Sequence, residues 1–115
     1  MENKHSSLVV EVSEAFQRRG ISVEKEVSLP NGRGAVDLAV RGQLPDDIFG
    51  EVKSSPACVQ CKRVRMQLEK YKSHFGLYGK YVLFSPGADG EIRVEELGGE
   101  FRGSLGEYFQ YIYGA

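Results

Sequence analysis

Ala35-Val36-Asp37-Leu38-Ala39-Val40, bounded by Gly34 and Gly42, is an almost wholly apolar run with a single carboxylate inside it. An apolar run this short between glycines reads as a buried strand, and Asp37 is the one residue in it that burial does not explain. Past a polar loop containing Pro45-Asp46-Asp47, the stretch Ile48-Phe49-Gly50-Glu51-Val52-Lys53 reads as a second such strand, ended by Ser54-Ser55-Pro56. Upstream, Ile21 to Leu29 alternates, with Ile21, Val23 and Val27 against Ser22, Glu24 and Ser28, until Pro30-Asn31-Gly32 turns the chain. These three strands can pair as a meander.

Helical spacing appears on both sides of the meander. Leu8, Val12, Ala15 and Phe16 predict a helix over residues 7 to 18, stopped by Gly20. Val64, Leu68, Tyr71 and Phe75 predict a long helix over 58 to 75, closed by Gly76. Lys80 to Phe84 and Glu91 to Leu97 read as two further strands, and Leu105, Tyr108, Phe109 and Ile112 as a short aromatic helix. The order αβββαββα predicts an α/β fold, with helices on a mixed sheet, in one domain spanning residues 1–115.

Composition agrees with that class. A chain of 115 residues that is 41% hydrophobic and 27% charged can bury a core, which excludes disorder and fibrous repeats. No apolar run approaches the roughly 20 residues of a membrane span, and the N-terminal residues lack a leader's apolar region. Two cysteines make no disulfide framework. The expectation is a soluble cytoplasmic protein with no membrane association.

The net charge of −1 argues against wholesale coating of nucleic acid, but it hides a block. Residues 1 to 52 carry −3, residues 53 to 80 carry +6, and residues 81 to 115 carry −4. The basic members are Lys53, Lys62, Arg63, Arg65, Lys70, Lys72 and Lys80, mostly on the second helix, and such a stripe can neutralise phosphates.

The chemistry concentrates around Asp37 and Glu51. Glu51 and Lys53 are two apart, so a regular strand sends both to one face while Val52 points to the other and presents its carbonyl. If Asp37 lies beside Glu51, two carboxylates and an ammonium converge at one sheet edge. Crowded carboxylates resist ionisation unless a cation lies between them. Mg²⁺ or Mn²⁺ suits such a site because it takes oxygen ligands and leaves positions to water or phosphate. Glu-x-Lys alone says nothing, since Glu2-Asn3-Lys4 is a second copy. The apolar strand, the preceding Asp and the following basic helix are what discriminate.

With those residues in view, the sequence resembles PD-(D/E)xK nucleases of the RecB-like branch. Gly34-Ala35-Val36-Asp37, Glu51-Val52-Lys53 and Gln67-Leu68-Glu69-Lys70-Tyr71 follow, in order, that family's G-x-x-D, E-x-K and Q-x-x-x-Y motifs, over residues 8 to about 97. Val36 stands where many members have proline. The resemblance implies a restriction-endonuclease-like core, with Mg²⁺ or Mn²⁺ bound by Asp37, Glu51 and the Val52 carbonyl. It also implies a catalytic Lys53, with Gln67 and Tyr71 beside the site. The i, i+4 spacing of Gln67 and Tyr71 does put both on one helix side. Members often add a first-helix carboxylate. With Leu8 at 0°, Glu11 falls at about −60° and Glu14 at about −120°, against apolar residues from about −20° to +80°, so Glu11 is the candidate metal ligand.

The expected activity is hydrolysis of DNA phosphodiester bonds, structure- or end-directed, with Lys62, Arg63, Arg65, Lys70 and Lys72 holding backbone phosphates. Alternatives are an endonuclease resembling Holliday junction resolvases and a non-catalytic nucleic-acid-binding module on the same fold. A homodimer is one expected assembly, for which Tyr108, Phe109, Tyr111, Ile112 and Tyr113 could supply the surface, although a core helix explains most of them equally well; a helicase or other repair partner is another. No phosphate-binding loop is present to supply a motor. Cys58-Val59-Gln60-Cys61 is too small a set for an iron–sulfur cluster within one chain and leaves a shared metal, a redox pair or inert thiols open. His5 and His74 are too isolated to be read as ligands.

Overall fold

The computed structural model describes residues 4–113. Its elements are α1 (Lys4–Gln17), β1 (Glu24–Ser28), β2 (Ala35–Val40), β3 (Ile48–Val52), α2 (Lys62–Phe75), β4 (Lys80–Pro86), β5 (Ile92–Glu96), β6 (Arg102–Ser104) and α3 (Leu105–Tyr113). The fold is α/β: one six-stranded sheet in the order β1-β2-β3-β4-β5-β6, antiparallel except where β4 pairs parallel to β3. A parallel neighbour needs a crossover, and α2 supplies it.

Two apolar clusters hold the layers. On one face Val9, Val12, Phe16, Tyr108, Phe109 and Ile112 of α1 and α3 pack on Leu38, Val40, Val52, Val82 and Phe84. On the other, Val64, Leu68 and Tyr71 of α2 pack on Ala39, Phe49, Tyr81 and Leu83. Every residue of β3 is buried, as its apolar run requires. The central strands are covered on both faces, while β1 at one margin is largely exposed.

The structure differs from the sequence expectation in several places, the first being α1, which runs Lys4–Gln17 rather than 7 to 18. β6 is an additional strand, only three residues long and carrying Gly103, so it offers no alternation to read. α2 begins at Lys62 rather than 58, because the Cys61 N–H closes a turn on the Cys58 carbonyl (3.1 Å) before the helix starts. β1 begins at Glu24, three residues later than its alternation predicts. Most of the expected dimer surface is core: Tyr108, Phe109 and Ile112 are buried, which leaves Tyr111 and Tyr113 as its exposed members. The end of α2 does follow the sequence, since Gly76 adopts φ 101° and its N–H caps the Lys72 carbonyl at 2.9 Å.

Among the described residues no helix is long and apolar enough to cross a membrane.

Candidate active site

The pairing of β2 with β3 runs Val40 to Ile48, Ala39 to Phe49 and Leu38 to Gly50. Continuing that register by one step puts Asp37 opposite Glu51, and cross-strand partners in an antiparallel pair share a face. The ladder stops there. Instead, the Val52 N–H donates to Asp37 Oδ2 at 2.8 Å, so a side chain replaces the main chain of β2 as partner. Strand alternation also breaks at this point, since Val36 packs in the α2-side cluster and Leu38 in the opposite one. Asp37 thus sits where two strands part, and its carboxyl group is within hydrogen-bonding reach of Glu51. The convergence lies where the end of β3 parts from the middle of β2, between two inner strands and not at the margin of the sheet as the sequence reading has it.

Glu51 is 3% exposed. Burial, with the neighbouring Asp37 carboxyl next in importance, pushes its pKa up to about 8, although Lys53 and the Tyr71 hydroxyl pull the other way. Asp37 goes the opposite way. Burial would raise it, but hydrogen bonds with Glu51, the Val52 N–H and His5 outweigh burial and hold it below the ordinary value. At neutral pH the two acids therefore share one proton.

Lys53 follows directly from β3 and its side chain is partly exposed, with Nζ 4.0 Å from Glu51 Oε2 and 3.3 Å from Gln67 Oε1. Tyr71 is both core and site: its ring is buried against β3 and β4, and its hydroxyl lies 3.1 Å from Glu51 Oε2 and 3.3 Å from the Ala35 carbonyl. Burial and the Glu51 charge push the phenol well above its usual range, so it remains a donor. Gln67 and Tyr71 thus hold Lys53 and Glu51, respectively, from one side of α2.

Glu11 does not join the acids. It is exposed and borders two surface grooves, of about 370 and 330 Å³, whose other lining residues include Ser54, Pro86 and Gly90 but neither Asp37 nor Glu51. Helix α1 contributes His5 instead, with Nε2 3.2 Å from Asp37 Oδ2. The signal was present in the sequence: His5 lies at about +60° on the wheel that places Leu8 at 0°, inside the apolar arc rather than at its rim. A recess of about 130 Å³ beside Asp37 is lined by His5, Val9, Lys25 and Glu26 among others. Glu26 is the one non-glycine among the described residues with a left-handed backbone (φ 52°), a strained conformation next to the site.

The basic residues divide by helix geometry. Lys62, Arg63, Arg65, Lys70 and Lys72 are all exposed. Measured around the axis from Gln67, Arg63 and Lys70 fall at about −40° and −60°, while Lys62, Arg65 and Lys72 lie at about 140° or more to either side. By that geometry Arg63 and Lys70 share the side of α2 that carries Gln67. Lys70 Nζ also donates to the Arg33 carbonyl at 3.0 Å, tying α2 to the β1–β2 loop. Lys80, the last member of the basic block, is taken up by Glu96 at 3.4 Å and Asp46 at 4.0 Å.

The donor set can be tested for a cation. Among the described residues no three His, Cys, Asp or Glu side chains are grouped to cage a metal. The oxygens on offer are two carboxylates and main chain, an open set that suits Mg²⁺ or Mn²⁺, which keep water and phosphate among their ligands, and not a closed structural site. A cation there would also offset the burial of Glu51 and its repulsion by Asp37, which together raise the Glu51 pKa. Compared with protein-family models, with curated proteins and with solved structures, the chain gives no match.

Proposed function

We propose that this chain is a Mg²⁺- or Mn²⁺-dependent nuclease that hydrolyses DNA phosphodiester bonds, on a restriction-endonuclease-like core of the PD-(D/E)xK type. One observation carries the reading: Asp37, Glu51 and Lys53 come together where β2 and β3 part, with Asp37 Oδ2 2.8 Å from the Val52 N–H and the amine 4.0 Å from Glu51. The element order supports it, with an antiparallel β1-β2-β3 unit, α2 as crossover and β4 returning parallel to β3.

Asp37, Glu51 and the Val52 carbonyl would hold the cation, and His5 would orient Asp37. A cation bound there would supply Lewis-acid polarisation of a phosphate oxygen and would lower the pKa of a water it holds. Lys53 stabilises negative charge developing on the phosphate, and its partial exposure leaves it accessible to a strand. Gln67 fixes Lys53 and Tyr71 fixes Glu51, which makes both positioning residues. Arg63 and Lys70 hold flanking phosphates, contacts that set register without reading bases. Selectivity for ends, single strands or branched structures then comes from shape or from a partner.

The test is cleavage of labelled single-stranded, duplex, flapped and four-way DNA with Mn²⁺ or Mg²⁺. Wild type should cut at least one substrate, and Glu51→Gln or Lys53→Ala should abolish cutting while DNA binding persists. A wild type that binds all four and cuts none would assign the chain to the binding-module class.

A further inference from the structure

We propose that Cys58 and Cys61 form a redox-active dithiol, closing to an intramolecular disulfide by exchange with disulfides of the glutathione class. The site is separate from the acid pair, and the proposal does not rest on the nuclease reading.

The fold brings the sulfurs together. Both thiols are free, with Cys61 exposed and Cys58 partly so, and their Sγ atoms are 3.0 Å apart. The backbone between them is a turn closed by the Cys61 N–H on the Cys58 carbonyl at 3.1 Å. Val59 inside the turn is 5% exposed and packs in the α2-side core, so the turn is anchored. Cys61 is the N-cap of α2, yet its side chain makes no capping bond, which leaves the sulfur to its partner. A metal role is poorly served, because among the described residues no third His, Cys, Asp or Glu completes a group.

The two thiols are unlike. Cys58 is held below the ordinary thiol range by the Cys61 thiol first, then by the main-chain N–H groups of Cys61 and Gln60, against slight burial and the Glu95 charge. Cys61 is raised, chiefly by Cys58. Main-chain N–H groups of Gln60 and Cys61 beside Cys58 favour its thiolate, so Cys58 attacks first in the proposed exchange. The Cys58 thiolate attacks one sulfur of R–S–S–R, forming Cys58–S–S–R and releasing RS⁻. Cys61, deprotonated in its turn, attacks the Cys58 sulfur, forming the internal disulfide and releasing a second RS⁻. The two thiol protons end on the two RS⁻ groups, and the two electrons pass from the cysteine sulfurs to the external disulfide. Closure ties down the connection that runs from Lys53 to the start of α2.

The experiment incubates the reduced full-length chain with oxidised glutathione, quenches with an alkylating agent and reads intact mass. Wild type should lose two hydrogens and take no alkyl label. Cys61→Ser should stop at one glutathione on Cys58, and Cys58→Ser should react about tenfold more slowly. Closure in native buffer should outpace closure of the same chain in urea by about tenfold, since the turn holds the sulfurs in contact. A wild type that ends carrying two glutathiones or two alkyl groups overturns the proposal. Equal closure rates in buffer and urea overturn the claim that the fold builds the site. Equal rates for the two single variants overturn Cys58 as the attacking sulfur.

Discussion

Replacing Glu51 by glutamine should change how stability depends on pH, and the structure sets the size of the effect. Glu51 is 3% exposed, and its carboxyl moves from an ordinary 4.5 to about 8 in the metal-free fold. Between those values the folded chain keeps a proton that the unfolded chain has released, so stability falls as pH rises and levels off above about 8. The full difference corresponds to about 5 kcal/mol, of which about 3 kcal/mol is already lost by pH 7. Asp37 works in the opposite sense: its pKa is depressed below 3.8, so the stability it contributes is lost only as pH falls beneath that value. The site therefore favours folding most at about pH 4 to 5. Glutamine has the same shape and no charge to bury, and its amide can donate to Asp37. In metal-free urea titrations Glu51→Gln should match wild type at about pH 5 and exceed it by several kcal/mol at about pH 9, a sizeable fraction of a domain's total stability. Adding Mn²⁺ at the higher pH should recover wild type and leave Glu51→Gln nearly unmoved. Parallel pH profiles for the two chains would show that Glu51 ionises inside the fold without penalty, and the coupled-acid argument would be wrong.

Other substitutions separate neighbouring roles. Tyr71→Phe should cost about 1–2 kcal/mol of stability in urea titration and shift the pH-dependent loss to higher pH, because the hydroxyl beside Glu51 Oε2 helps its ionised form. His5→Ala should weaken Mn²⁺ binding about tenfold by calorimetry, whereas Glu11→Gln should leave it within about twofold. Arg63→Ala with Lys70→Ala should lower DNA affinity and flatten its salt dependence, and Arg65→Ala with Lys72→Ala should do so far less. Gly50→Ala should destabilise by about 1–3 kcal/mol, since its Cβ would lie 2.7 Å from Phe84 Cε2 and 2.9 Å from Leu38 Cδ1.

Much of this architecture could be read from the chain because strong periodicities and punctuation coincide. The apolar runs of β2 and β3 gave their burial, and Gly76 marked the end of α2 at the residue where its φ is 101°. Short or irregular pieces were less legible: β6 has three residues, and the true start of α2 depends on a turn hydrogen bond that no spacing encodes. In the site, Asp37, Glu51 and Lys53 came together where the strand patterns allow, and Gln67 and Tyr71, whose place beside them only the family resemblance implied, join them from α2. The first-helix contribution did not. A rim carboxylate looks like the better ligand on a helical wheel, but a group reaching a partly buried acid must come from the face turned inward, and on α1 that group is His5.

The break in the ladder makes the two acids unequal. In a continuous sheet they would stand on one face as an ordinary cross-strand pair, each held by the other's main chain. Here the β2–β3 pairing ends at Leu38–Gly50, and the Val52 N–H that would otherwise need a strand partner is satisfied by Asp37 Oδ2. One carboxylate oxygen thus performs a structural task, and its partial exposure leaves the group open to solvent. Glu51, on the strand that stays paired to β4 through Val52, remains buried and raised in pKa. The same irregularity creates an unequal acid pair, one member partly open to solvent and the other buried, with an amine beside it. An asparagine at position 37 separates these two roles: it could still accept the Val52 N–H through its amide oxygen while removing one charge of the pair. Asp37→Asn should therefore preserve the fold and lower the Glu51 pKa, followed by NMR titration of the Glu51 carboxyl, while abolishing Mn²⁺ affinity. Retention of that affinity would locate the cation elsewhere.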